Sequence, residues 1–369
     1  LSACGSAGPN LSTMMNSQTF AADKFEMVNV DSQVIDRLAK VPSPTLNAKF
    51  GDYRRPPTLL LGAGDGVVVT LWETGSSGVF ASAGNTYPGS SQSAHGVTIP
   101  EQVVAEDGTI QIPYVGRVKV ANSTPRRVEE IIVGSLKGKS MDPQAVVQVS
   151  KNVTNAATVT GDVTGGGVIP LSPKGSRILE VIAYAGGLRV PAYETFVTLS
   201  RHNVMATVPF ARISMDPSEN VYVHPGDILN VFRKPQIFTV FGATGRNSKF
   251  SFDRFEVNLA SALGAAGGLL DNRADPSAVF VLRHETAGFV EDIHPESRLA
   301  QAGQSVPVIY RIDFSQPSGY VNAQSFQMRD GDMVYVSDAP GAEVQKFLQI
   351  VGSATGPATA GATIYAGAP

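Results

Sequence analysis

The chain has 369 residues and only one cysteine, Cys4. A single thiol cannot close an internal disulfide, so no disulfide framework stabilises the fold. Charge is also scarce: charged residues make up 17% of the chain and the formal net charge is −3. Proteins that bind nucleic acid need a basic face, so this balance argues against such a partner. No run of about 18 consecutive apolar residues occurs, so these residues hold no ordinary transmembrane helix.

Candidate catalytic and metal-binding groups are also sparse. The aspartates beside glycine (Asp65, Asp227 and Asp332) are predicted to form Asx-type turns, and they give no paired carboxylates for glycoside hydrolysis. The histidines are scattered without zinc-like spacing. They are His95, His202, His224, His284 and His294. We therefore expect no enzyme, no metal and no bound cofactor.

Glycine and proline, in contrast, are abundant, with 37 and 24 residues. Together with the sparse charge, they favour a β-rich protein with many turns. The length allows about two to four domains with cores of their own.

The surroundings of Cys4 indicate a role for its thiol. Cys4 follows a leucine and two small residues, the pattern left where a bacterial lipoprotein signal peptide ends. At such a site the thiol receives diacylglycerol. Gly5 and Ser6 follow, with no aspartate to favour retention in the inner membrane, so the outer membrane is the expected location. The alternative is a stray cysteine in a loose N-terminus.

An internal repeat is the clearest pattern in the chain. Gly161 and Gly242 are 81 residues apart, and so are Gly187 and Gly268. The matching text predicts, in each copy, a strand, a loop and a short apolar helix that ends at glycine, the residue that most easily adopts a positive φ. So many matches at one offset indicate a tandem duplication of a small α+β module.

Two further signatures recur in both copies. A predicted strand ends in arginine, at Arg201 and at Arg283, and a Gly-Asp turn precedes a later strand, at Asp227 and at Asp332. The second copy carries a longer excursion, about Thr286 to Pro307.

The sequence predicts an α+β, β-rich fold in five parts. Before the repeats, a turn at Asp65 leads into a strand, and Ser123 or Thr124 caps a helix with Pro125 in its first turn. The expected parts are an N-terminal lipoprotein arm (1–54), a first domain (55–152), the two repeats (153–234 and 235–338) and a C-terminal helix or tail (339–369).

Ordered motifs in the first domain and the repeats resemble those of the outer-membrane polysaccharide export family, the lipoproteins that carry capsular or exopolysaccharide out of Gram-negative cells. The resemblance covers about residues 55 to 336, and the repeats are similar to soluble-ligand-binding β-grasp modules. The motifs are Leu61-Gly62-Ala63-Gly64-Asp65, Glu106-Asp107-Gly108-Thr109-Ile110, Pro113, Gly116, Val118, Ala121 and Thr124.

The resemblance implies a homo-oligomeric ring, of eight subunits as in the best-known relatives, that forms a channel through the outer membrane. Most of its mass would lie in the periplasm, where an inner-membrane polysaccharide co-polymerase would meet its base. The C-terminal segments would together form an α-helical barrel, with apolar residues Phe347, Leu348, Ile350 and Val351. Gly356-Pro357 would break such a helix, so a short surface helix with a disordered tail is the alternative.

Tyr114 is the candidate lumen residue of the first domain. It lies on a loop between two predicted strands, and the resemblance implies that aromatic residues near this loop can line the narrow periplasmic end of the channel. The alternative is a half-buried tyrosine whose hydroxyl is bonded nearby.

Two other function classes compete with the exporter. A monomeric periplasmic ligand-binding lipoprotein would keep the lipid and the repeats, but the Asp107-Gly108-Thr109-Ile110 motif argues against it. A periplasmic sugar-processing enzyme is disfavoured because paired acids are missing. The native mass of the lipoprotein in detergent distinguishes a ring from a monomer.

Overall fold

The computed structural model describes residues 25–41, 45–51, 60–74, 94–140, 142–302 and 305–339. Cys4 and the predicted C-terminal helix with Phe347, Leu348, Ile350 and Val351 lie outside these ranges. The molecule divides into two compact units, one formed by Ser43–Lys234 and one by the chain before and after it. Within the described ranges, no helix has both the length and the apolar character needed to cross a membrane.

The described part of the N-terminal region contributes to both units. Its elements are β1 (Glu26–Asn29), α1 (Ser32–Lys40) and α2 (Leu46–Phe50). Asp31 caps α1 by accepting a hydrogen bond from the Val34 amide at 2.8 Å. β1 and α1 belong to the unit that holds the second repeat, whereas α2 belongs to the unit that holds the first.

The first domain combines a small sheet, a hairpin and one helix. Thr124 caps the helix, as predicted, and three apolar side chains at helical spacing (Val128, Ile132 and Leu136) are fully buried. The strand order is β3-β2-β6, and β4 pairs with β5 as a separate antiparallel hairpin. The elements are β2 (Gly66–Thr74), β3 (Ala94–Val103), β4 (Thr109–Ile112), β5 (Gly116–Lys119), α3 (Pro125–Leu136) and β6 (Gln144–Lys151).

The first repeat folds into a five-stranded sheet with two short helices that bury residues in the same core. The strand order is β11-β10-β13-β7-β8, and β13 runs parallel to β7. The elements are β7 (Ala156–Gly161), β8 (Gly167–Pro170), β9 (Ser176–Arg177), α4 (Ile178–Tyr184), β10 (Thr195–Arg201), β11 (Val204–Pro209), α5 (Phe210–Met215), β12 (Tyr222–Val223) and β13 (Ile228–Arg233).

The second repeat repeats this arrangement in a six-stranded sheet. The order is β1-β17-β16-β18-β14-β15, so the N-terminal strand β1 completes the sheet by pairing in parallel with β17. The elements are β14 (Ile237–Gly242), β15 (Ser248–Ser251), α6 (Leu259–Ala265), β16 (Ala274–Thr286), α7 (Ala287–Ile293), α8 (Arg298–Ala302), β17 (Ser305–Ile312), α9 (Pro317–Ser325) and β18 (Met333–Asp338).

The predicted glycine repeat is confirmed at the end of the first strand of each module. Gly161 and Gly242 have φ values of +95° and +98°. A β-carbon at either position would lie 1.9 Å from a backbone oxygen, that of Val231 or Val336. Only glycine fits, because a side chain would meet both an unfavourable φ and the neighbouring strand.

The two repeats differ where the predicted excursion begins. In the first repeat the chain reverses at once after β10, at His202, whose φ is +53°. In the second, β16 continues past His284 to Thr286, and α7 and α8 follow before β17 returns.

Candidate functional site

A buried ion pair joins the two repeated signatures of each module. In the first repeat, Arg201 donates from Nε and Nη2 to both carboxylate oxygens of Asp227, at 2.9 and 2.8 Å. In the second, Arg283 binds Asp332 in the same way, at 2.8 and 2.6 Å. A planar guanidinium matches a carboxylate in this two-point geometry. In each repeat, the arginine on the strand therefore holds the aspartate of the turn in place.

The turns themselves differ from the predicted Asx-type turns. An Asx turn bonds the side chain to an amide further along the chain. Here each carboxylate accepts from the amide three residues earlier: His224 donates to Asp227 at 2.8 Å, and Arg329 donates to Asp332 at 2.7 Å. The positions of the turns were predicted correctly, but their bonding was not, because the carboxylate also has to face an arginine from a neighbouring strand.

The second repeat extends this pair into a network. Glu285 accepts hydrogen bonds from Tyr310 Oη at 3.0 Å and from Arg329 at 3.1 and 2.9 Å, and it lies 3.6 Å from Arg283. Burial raises the pKa of the Tyr310 hydroxyl, and the adjacent Glu285 carboxylate raises it further. The hydroxyl therefore stays protonated and donates to Glu285. The network has a structural role, because it joins β16, β17 and the turn before β18.

Asp65 forms a third such turn, with a different second partner. Its carboxylate accepts from the amides of Gly62, Val153 and Thr154 at 2.9, 2.8 and 2.9 Å, and from Thr154 Oγ1 at 2.6 Å. Burial alone would raise the pKa of Asp65, but these hydrogen bonds outweigh it and lower the pKa. The aspartate fastens the start of the first domain to the chain that enters the first repeat.

Tyr114 lies at the tip of the β4–β5 hairpin. Its φ is +63°, in the left-handed region that non-glycine residues rarely adopt, and its side chain is 60% exposed. The side chain is therefore more exposed than the half-buried alternative assumes. The tip is held by Lys139, which donates from Nζ to the Tyr114 carbonyl at 3.2 Å, and by Val115, whose amide donates to the Ile112 carbonyl at 3.2 Å.

The same hairpin is attached to β3 through the side chain of a glutamine that no sequence motif indicated. Gln102 on β3 donates from Nε2 to the Gln111 carbonyl at 2.7 Å and accepts from the Gln111 amide at 2.9 Å. The side-chain amide thus acts as one more rung of a strand pairing. Ile110 and Ile112 are buried beside it, so the strand that leads to Tyr114 is anchored while the Tyr114 side chain is exposed.

The histidines and carboxylates do not converge on a metal-binding cluster anywhere in the part of the chain that the structure describes. His202 and His284 occupy exposed positions in the turn after β10 and on β16. An open cavity of about 600 Å³ lies beside Glu26, His294 and Ser297. Ser297 donates from Oγ to the Glu26 carboxylate at 2.5 Å, so two of the polar groups that line the cavity bind each other.

Comparison with known proteins fits this arrangement of domains. Residues 54–150 match the family described as polysaccharide biosynthesis/export protein. Residues 156–209 and 236–336 each match the SLBB domain.

Individual relatives resemble nearly the whole chain. The capsule polysaccharide export protein BexD of Haemophilus influenzae is 32% identical over 97% of this chain and 94% of its own length. The capsule polysaccharide export outer membrane protein CtrA of Neisseria meningitidis is 33% identical over 98% and 92%. The Vi polysaccharide export protein VexA/TviF of Salmonella typhi is 26% identical over 77% and 82%. With its export domain followed by tandem SLBB domains, the chain belongs to the polysaccharide biosynthesis/export protein family.

Proposed function

We propose that this protein exports capsular or extracellular polysaccharide from the periplasm to the cell surface as an oligomeric channel in the outer membrane. The observation that carries the proposal is the ordered match of one export domain and two SLBB domains over nearly the full length of capsule polysaccharide export proteins. Passage of a hydrated polymer needs a wide polar path and no bond-breaking step. The buried carboxylates of the repeats are consistent with a function without a bond-breaking step, because each of them is paired with an arginine.

The channel is a homo-oligomeric ring, with eight subunits as the expected number. A diacylglycerol on the Cys4 thiol anchors each subunit in the outer membrane. The C-terminal segments, with Phe347, Leu348, Ile350 and Val351, form a ring of helices through that membrane. A single amphipathic helix cannot hide its polar face in lipid, but a closed ring turns the polar faces toward water. About 20 helical residues span ~30 Å of hydrocarbon.

Tyr114 lines the narrow end of this channel, at the periplasmic side. The exposure of its side chain at the turn of the hairpin supports this role. A left-handed conformation at a non-glycine residue is costly, and such strain is often kept at functional positions. An inner-membrane polysaccharide co-polymerase meets the same periplasmic end and delivers the polymer.

Export by living cells tests the proposal. A strain that lacks its own exporter is complemented with the wild-type chain, with the Cys4→Ser variant or with a chain that ends at residue 341. Wild type should restore surface polysaccharide, measured by immunostaining of intact cells. Cys4→Ser should mislocalise, and the truncation should give a folded protein that exports nothing. Normal export by the truncation contradicts the helical barrel, and failure of the wild type contradicts export itself.

A further inference from the structure

The outer sheet face of the first repeat carries a row of uncharged polar side chains that are open to solvent. Alternate residues of its strands, such as Val197 and Leu199, are buried in the core. The residues between them face the other way. In register across four neighbouring strands, this outer face carries three hydroxyls and one amide. The row consists of Thr207, Thr198, Asn230 and Thr160.

Two aromatic rings flank this row. Phe196 and Phe232 are paired directly on β10 and β13, their ring centroids are 6.1 Å apart and their planes are inclined by 28°. The Lys234 ammonium lies 5.7 Å from the centroid of the Phe196 ring. Both rings are only half-buried, and they lie beside the row of hydroxyl and amide groups.

The second repeat shows that the fold does not impose this polar character. Gly161 pairs with Val231, and the duplicated Gly242 pairs with Val336, so the two sheets can be compared position by position.

At the positions that match Thr198, Asn230 and Thr160, the second repeat has an aromatic row instead. The row consists of Phe280, Tyr335 and Phe241. Phe280 is fully buried there. The same sheet position therefore carries an aromatic row in one module and a solvent-accessible row of hydroxyl and amide groups in the other.

The chemistry of the first-repeat face matches a sugar polymer. Hydroxyl and amide groups exchange hydrogen bonds with sugar hydroxyls, and aromatic rings pack on the apolar faces of sugar rings. The five strands contain no aspartate or glutamate, so the face does not repel acidic sugars. At its aromatic end, the Lys234 ammonium beside the Phe196 ring supplies a complementary positive charge.

We propose that this face, defined by Thr160, Phe196, Thr198, Asn230 and Phe232, is a contact surface for the polysaccharide chain; this inference rests on the proposed function. The contact is weak by construction. Thr198 and Thr207 share a hydrogen bond of 2.7 Å, and Thr160 donates to Asn230 at 3.3 Å. Sugar hydroxyls therefore replace bonds that already exist, and the net gain per contact is small. A sliding polymer needs such contacts.

Methyl NMR of the full chain in detergent tests the surface without any substitution. Met205 and Ile228 lie on the same face of the first repeat and are exposed, while Met333 occupies the corresponding face of the second. Maltooligosaccharide and oligogalacturonate serve as neutral and acidic probes. With either probe, the Met205 and Ile228 methyl signals should shift and the Met333 signal should not. No shift at Met205 and Ile228, or an equal shift at Met333, overturns the inference.

Variants give a second readout. Phe196→Ala should weaken oligosaccharide binding by about tenfold, and Thr198→Val should weaken it without removing the aromatic pair. Phe241→Ala, at an exposed position of the second repeat's face, is the matched control and should leave binding unchanged. If wild type restores export and the first two variants bind as well as wild type, the surface is wrong and the export function stands. If wild type fails to restore export, the export function itself is wrong.

Discussion

The guanidinium of Arg283 binds both carboxylate oxygens of Asp332 with side chains that are 5% and 1% exposed. The equivalent pair in the first repeat, Arg201 with Asp227, has the same geometry and is slightly more exposed at its arginine. The first pair links the last residue of β10 to the turn before β13, and the second links Arg283, three residues before the end of β16, to the turn before β18. These pairs set the position of the turns from which β13 and β18 begin.

Removing the acid from this pair should strongly destabilise the second repeat. Asp332→Ala removes the carboxylate that binds Arg283 and leaves the buried guanidinium with Glu285 as its remaining acidic neighbour. Breaking a buried ion pair in this way lowers the free energy of unfolding by about 3–5 kcal/mol. Native-state hydrogen exchange of the β16 and β18 amides measures the loss. Asp253→Ala, which breaks the exposed pair with Arg254, is the control and should leave the free energy of opening nearly unchanged, because solvent screens that pair. Equal effects of the two substitutions would contradict a structural role for the buried pair.

The junction at Asp65 should weaken in acid. The pKa of Asp65 is lowered in the folded protein, so its carboxylate contributes stability that is present above the unfolded-state pKa of about 4 and is lost as the pH falls through the folded-state pKa. The Val153 and Thr154 amides should therefore exchange faster below about pH 4. Asp65→Ala should show fast exchange at all pH values. Unchanged protection of these amides in that variant would exclude the junction role.

Glycine is required where the repeats begin. Gly242→Ala places a β-carbon 1.9 Å from the Val336 oxygen at a φ of +98°, so the variant should be severely destabilised or fail to fold. Gly264→Ala is the control, because it lies inside α6 with no atom near its added β-carbon. Alanine should stabilise that helix by about 0.5–1 kcal/mol. Thermal unfolding compares the two, and a tolerated Gly242→Ala would contradict the steric argument.

Tyr114 should affect passage and not folding. Tyr114→Asn removes the ring and keeps a residue that tolerates a positive φ, so the unfolding temperature should stay close to that of wild type. Conductance of the purified channel in planar bilayers should change, because the ring is proposed to line its narrow end. Tyr184→Asn, at an exposed tyrosine of the first repeat, is the comparison and should conduct as wild type does. Equal conductance in all three proteins would leave Tyr114 without a role in the channel.

Local sequence signals predicted much of this fold and little of its long-range bonding. The cap at Thr124, the glycine-terminated helices and the turn positions all follow from short motifs, and the structure has them. Arg283 and Asp332 are 49 residues apart and Arg201 and Asp227 are 26 apart, so no local pattern connects them.

Two other contacts could not be predicted from the sequence either, because no short motif connects the residues that form them. The pairing of Glu26 with Val308 joins β1 to a distant part of the chain, and its sequence is that of an ordinary short strand. Gln102 reaches Gln111 through a side chain whose direction no spacing rule gives. The polar row of the first repeat and the aromatic row of the second depend on the strand register, which the sequence alone does not specify.

The native mass of the lipidated protein, extracted in mild detergent and measured by light scattering with the detergent contribution subtracted, tests the channel most directly. The chain mass is 38.8 kDa, and the account predicts a stable ring of many such subunits, with eight as the expected number. A stable monomer under the same conditions would contradict the channel and would favour a ligand-binding lipoprotein.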